Sequence, residues 1–116
     1  MPTNVLLVED TEGIRRALAE ILRLEGYEVT IAIDGDEALK KLRSGTKASV
    51  ILLDMIMPRM DGAALVGELK KNPEWAAIPT IVMSARDGAQ APMPADAFLS
   101  KPINLDALFS LLERYR

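Results

Sequence analysis

The chain has 116 residues, with 14 Lys+Arg against 17 Asp+Glu for a formal net charge of -3, and 49% of its residues are hydrophobic. That length fits one domain over residues 1–116 with a core that needs no metal or disulfide staple, and the acidic balance argues against nucleic acid, which asks for a clustered basic face. Cysteine and histidine are both absent, so disulfides, thiol chemistry, histidine triads and histidine metal ligands are excluded, and any chemistry must run on carboxylates, hydroxyls and lysines.

In chain order, Val5-Leu6-Leu7-Val8 is a short apolar run that reads as a strand. Ile14, Ala17, Leu18, Ile21 and Leu22 follow at helical spacing and form one apolar stripe. Asp10 or Thr11 can cap that helix and Gly26 can stop it. Val29-Thr30-Ile31-Ala32 alternates apolar with polar, as an edge strand does. Ala38, Leu39 and Leu42 mark a second helix, begun at Asp34-Gly35 and closed by Gly45. Val50-Ile51-Leu52-Leu53 is continuous and reads as a strand buried on both faces. Leu65 and Leu69, with Ala64, mark a third helix ended by Pro73. Thr80-Ile81-Val82-Met83 predicts another buried strand, and the shorter Ala97-Phe98-Leu99 an edge strand. Leu105, Leu108, Phe109 and Leu112 form the last helix, with Asn104 as its cap.

Alternating strands and helices imply right-handed crossovers and a parallel sheet covered on both faces. With the second and fifth strands at the edges, the order is 2-1-3-4-5. The expected fold is thus a single doubly wound α/β domain with a five-stranded parallel sheet. No apolar run approaches the ~18 residues of a membrane span, and the N-terminus opens into a strand-like run where a signal peptide would differ. A cytoplasmic protein without membrane contact is expected.

In such a sheet ligands bind outside the carboxyl ends of the strands, where the strand order reverses. Here that point lies between strands one and three. Glu9 and Asp10 follow strand one, and Asp54 follows strand three. An acid after a strand is often only a helix cap, which is an even contest for Asp10 taken alone. Three carboxylates in one crevice, however, repel one another strongly unless a cation sits among them. Oxygen-only ligands around an open site suit Mg²⁺. Ser84 after strand four and Lys101 after strand five add a hydroxyl and an ammonium, together a cradle for a phosphoryl group.

At these positions the chain resembles the receiver domains of response regulators in two-component signalling. Val8-Glu9-Asp10, Leu53-Asp54-Met55-Ile56-Met57-Pro58-Arg59-Met60-Asp61-Gly62, Met83-Ser84-Ala85 and Ser100-Lys101-Pro102 carry the resemblance, and the second of these is the most specific. The resemblance implies a flavodoxin-like fold and a phospho-acceptor role for Asp54. It implies Mg²⁺ held by Glu9, Asp10, Asp54 and the backbone carbonyl of Ile56. It also implies a switch in which the Ser84 hydroxyl and the Lys101 ammonium bond the phosphoryl oxygens and Phe98 rotates inward, and a cis peptide at Lys101-Pro102. The implied donor is a phosphohistidine on a histidine kinase or histidine phosphotransfer protein, since this chain has no histidine. A monomer is favoured.

One stretch departs from the pattern. Only Arg86 to Asp96 joins strands four and five, and it contains Gly88, Pro92 and Pro94. Prolines in its second half forbid a regular helix there, so the family's fourth helix, between those strands, is expected to be shortened or lost. The loop is expected to reorganise on activation, with Arg86 beside the pocket mouth. Two other functions compete with the receiver. A pseudo-receiver would keep the fold only as a protein-interaction module, and an aspartate-based phosphatase would need a second acid two residues after its nucleophile, where this chain has Ile56.

Overall fold

In the structure, a computed structural model, residues 3–55, 62–84 and 95–115 are described. Among these residues, five strands and five helices follow in the order β1 (Asn4–Val8), α1 (Glu12–Leu24), β2 (Glu28–Ala32), α2 (Gly35–Arg43), β3 (Val50–Asp54), α3 (Gly62–Lys71), α4 (Pro73–Ala76), β4 (Thr80–Ser84), β5 (Ala97–Ser100) and α5 (Leu105–Arg114). All pairings are parallel and the strand order is β2-β1-β3-β4-β5, as the sequence pattern predicts. Every residue of the central β3 and β4 is buried, whereas the edge strand β2 is largely half-exposed.

Side-chain alternation along the strands divides the core into two layers. On one face Leu6, Val8, Ile51, Leu53 and Val82 pack against Leu39 and Leu42 of α2 and Leu65, Val66 and Leu69 of α3. On the other, Val5, Leu7, Leu52, Ile81 and Met83 pack against Leu18 and Leu22 of α1 and Leu108 and Leu112 of α5. The helices therefore cover both faces, and the carboxyl ends of all five strands point the same way.

Local sequence sets the helix ends. Asp34 caps α2 by accepting from the Glu37 amide at 2.9 Å, and Asn104 caps α5 by accepting from the Ala107 amide at 3.0 Å. Past α1, Gly26 adopts φ 93°, with its amide on the Arg23 carbonyl and the Tyr27 amide on the Leu22 carbonyl. This is the paired-bond C-terminal stop in which a left-handed residue satisfies the last carbonyls, and Tyr27 is buried in the same core layer as Leu22. Gly45, at φ 106°, closes α2 the same way, with its amide on Leu42 and that of Thr46 on Lys41.

Pro73 does more than end α3. It also opens α4, a turn capped by Asn72, whose side chain accepts from the Glu74 amide at 2.9 Å. A proline whose missing N–H is no loss in a first turn serves both purposes. The expected shortening of the helix between β4 and β5 falls on residues 85–94, outside the described residues. Asp96, just before β5, is tied to the start of β4: its Oδ2 accepts from the Thr80 amide at 2.8 Å, and its own amide donates to the Thr80 carbonyl at 2.9 Å.

Candidate phospho-acceptor site

Strand register brings the acidic residues to one level. Val8 pairs with Leu53, so Glu9 lies level with Asp54 across the β1–β3 boundary. Asp54 pairs in turn with Met83, and Ser84 with Ser100, so Ser84 and Lys101 lie one step beyond. Asp54 and Ser84 are the last residues of their strands rather than the first of the following loops. Ligand oxygens from Glu9, Asp10 and Asp54 all lie within 4.8 Å of one another.

Burial differs sharply within the group. Glu9 is fully enclosed and Asp54 nearly so, whereas Asp10 is exposed at the rim. Thr11, not Asp10, is the N-cap of α1, and its side chain makes no capping bond. The Thr11 amide donates instead to Glu9 Oε2 at 3.3 Å. Burial first, and then the negative charge of Asp54, push the Glu9 carboxyl up to about 7 from its ordinary 4.5, against the pull of the Thr11 amide. Glu9 Oε1 is buried with no hydrogen-bond partner among the described residues. A buried carboxylate oxygen without a donor, beside two more carboxylates, fits a hard cation that takes oxygen ligands. Among the described residues, Glu9, Asp10 and Asp54 are the group that could hold one.

Lys101 approaches from the opposite edge. Its Nζ donates to Asp54 Oδ2 at 3.0 Å, and its backbone amide donates to the Ser84 carbonyl at 2.7 Å. The Lys101-Pro102 peptide is cis, in agreement with the resemblance. Ser84 is buried at the end of β4. Phe98 is half-buried in β5 and packs with the core layer beneath α2 and α3. Ile56 and Arg86 lie outside the described residues.

One contact was not legible in the sequence. Arg15, on the second turn of α1, reaches back so that Nη1 donates to the carbonyls of Glu9 at 3.0 Å and Asp10 at 3.3 Å. The available signal was its position, four residues after the cap, because helical side chains lean toward the N-terminus.

The model of the response regulator receiver domain matches residues 5–113. The chain belongs to that family. It is 30% identical to the protein PilG of Pseudomonas aeruginosa over 97% of this chain and 86% of PilG. It is 35% identical to the sensory transduction protein RegX3 of Mycolicibacterium smegmatis over 93% of this chain, and it spans about half of that relative's length (48%). Among solved structures, the chemotaxis response regulator CheY4 of Vibrio cholerae superposes with a TM-score of 0.91 at 29% identity, with both chains fully covered. The response regulator TrrA of Thermotoga maritima, solved in complex with Mg²⁺-BeF, gives 0.87 at 32% identity over 98% of this chain and 99% of TrrA. This receiver is a signalling domain of two-component response regulators, and the pseudo-receiver alternative finds no support. Among the described residues of the receiver, no helix is long and apolar enough to cross a membrane.

Proposed function

We propose that the receiver accepts a phosphoryl group on Asp54 and signals through the change this makes around Ser84 and Phe98. The observation that carries the reading is the Lys101–Asp54 contact of 3.0 Å on a buried carboxylate, with the Glu9 and Asp10 carboxylates close by. Glu9, Asp10, Asp54 and the carbonyl of Ile56 would hold Mg²⁺. When bound, the ion neutralises carboxylate and phosphoryl charge and lets an anionic nucleophile meet an anionic donor.

The rest belongs to the chain. A carboxylate oxygen of Asp54 attacks phosphorus in line, the O–P bond forms as the P–N bond of a phosphohistidine breaks, and the imidazole leaves with its electron pair. Lys101 offers its ammonium to a phosphoryl oxygen, and the Ser84 hydroxyl donates to another. Vacated space beside Ser84 is then open to the Phe98 ring. The donor is a histidine kinase or a histidine phosphotransfer protein. The chain catalyses its own phosphorylation and dephosphorylation only. Residues 1–116 act as one unit, as a monomer in the cytoplasm.

Incubation with acetyl phosphate and Mg²⁺, followed by intact mass, tests the site. One base-labile phosphoryl group is expected on the native chain and none on Asp54→Asn. Undiminished labelling of Asp54→Asn would remove Asp54 from the acceptor role, and turnover without accumulation would favour a phosphatase.

A further inference from the structure

Arg15 has no role in the chemistry above, yet its guanidinium binds the backbone bearing the acidic pair. Glu9 and Asp10 link the end of β1 to the start of α1. The Glu9 amide still follows the sheet, donating to the Ala32 carbonyl at 3.0 Å. Its carbonyl and that of Asp10 turn away, and both accept from Arg15 Nη1, at 3.0 and 3.3 Å. The Arg15 amide donates to the Thr11 carbonyl at 2.9 Å, so the guanidinium projects from a helical turn that is already closed. Its Nε is buried with no hydrogen-bond partner among the described residues. Its neighbour Arg16 points outward into an exposed ion pair with Glu12 at 3.6 Å.

We infer that Arg15 is a positioning residue: it fixes the two successive peptide planes from which the Glu9 and Asp10 carboxylates branch, and so presets the cation site. The inference rests on the proposed function, in which those carboxylates hold a divalent cation. Pinning both carbonyls removes rotations that the Glu9-Asp10 segment would otherwise lose on binding the ion, which is how groups behind the ligands raise metal affinity.

Charge and geometry predict opposite signs here. If Arg15 acted only through its positive charge, removing it would tighten cation binding, because a like charge near the site would be gone. If it acts by holding the carbonyls, removing it weakens binding. The probe is Mn²⁺, an oxygen-seeking stand-in for Mg²⁺, titrated by electron paramagnetic resonance against the native chain, Arg15→Met, Arg15→Lys, Arg16→Met and Asp10→Asn. Native binding with loss in Asp10→Asn establishes the site itself. Arg15→Met is expected to bind on the order of tenfold more weakly, while Arg16→Met, which loses the same charge, binds as tightly as the native chain or more so. Arg15→Lys keeps the charge and a donor above the carbonyls, and it is expected to recover part of the loss. This variant also carries the test if Arg15→Met fails to fold. Unchanged or tighter Mn²⁺ binding in Arg15→Met overturns the positioning role and leaves the site standing, as does native-like binding in Arg15→Lys where Arg15→Met does not fold. Absence of Mn²⁺ binding to the native chain, or native binding in Asp10→Asn, overturns the site and the inference with it.

Discussion

At the scale of single residues, the environment of Glu9 changes its chemistry. Its ordinary carboxyl value of 4.5 rises to about 7 through burial and the charge of Asp54. Below the lower value both folded and unfolded chains hold the proton. Between the two, the unfolded chain ionises while the folded chain stays protonated, so stability falls as pH rises through this window and levels off above it. In metal-free buffer, the thermal midpoint of Glu9→Gln is expected to lack the part of the decline between pH 5 and 7 that the native chain shows. Slopes from carboxylates remote from Glu9 are common to both proteins and cancel. Parallel curves for the two would contradict the assignment. Mg²⁺ at pH 7.5 is expected to raise the native midpoint, because a ligand that binds only the folded state stabilises it by mass action.

At the scale of elements, two glycines separate backbone strain from space. Gly45 ends α2 at φ 106°, and a Cβ added there meets nothing within 4 Å. Gly45→Ala is therefore expected to cost about 1 kcal/mol from backbone conformation alone. Gly67 sits inside α3 in ordinary helical conformation, also with open space around an added Cβ. Gly67→Ala is expected to stabilise by about 0.5–1 kcal/mol, because glycine loses more backbone freedom in a helix than alanine. Urea unfolding of the two variants should show shifts of opposite sign. Shifts of the same sign would mean that space or unfolded-state effects dominate at one position.

At the scale of the whole molecule, the two core layers meet through the sheet, and Leu52 and Leu53 face opposite layers from adjacent positions of β3. Leu52 is fully buried beneath α1 and α5. Leu52→Ala is expected to destabilise by about 2–5 kcal/mol, the range for a buried leucine that leaves a cavity. Denaturant unfolding measures this directly, and a loss below about 1 kcal/mol would mean that the layer collapses onto the gap. Because β3 ends at Asp54, loosening this strand is also expected to reduce labelling from acetyl phosphate.

The positions of the five strands and of α1, α2, α3 and α5, the order in the sheet and the meeting of Glu9, Asp10 and Asp54 were legible in the sequence. Each depends on local periodicity and on the rule that parallel crossovers bring carboxyl ends to one side. Other features needed the folded chain. The second role of Pro73 depended on Asn72 being free to cap a new turn. The burial of Glu9 beside an exposed Asp10 depended on how α1 leaves the sheet, because neighbouring acids look alike in sequence and differ only in what covers them. Arg15 depended on the same departure angle. Side-chain type and spacing state which groups can converge, by short-range sterics and periodicity. Which of them is desolvated, and which carbonyl a long side chain reaches, is set by the packing of a helix on a sheet, and that exists only once distant segments have come together.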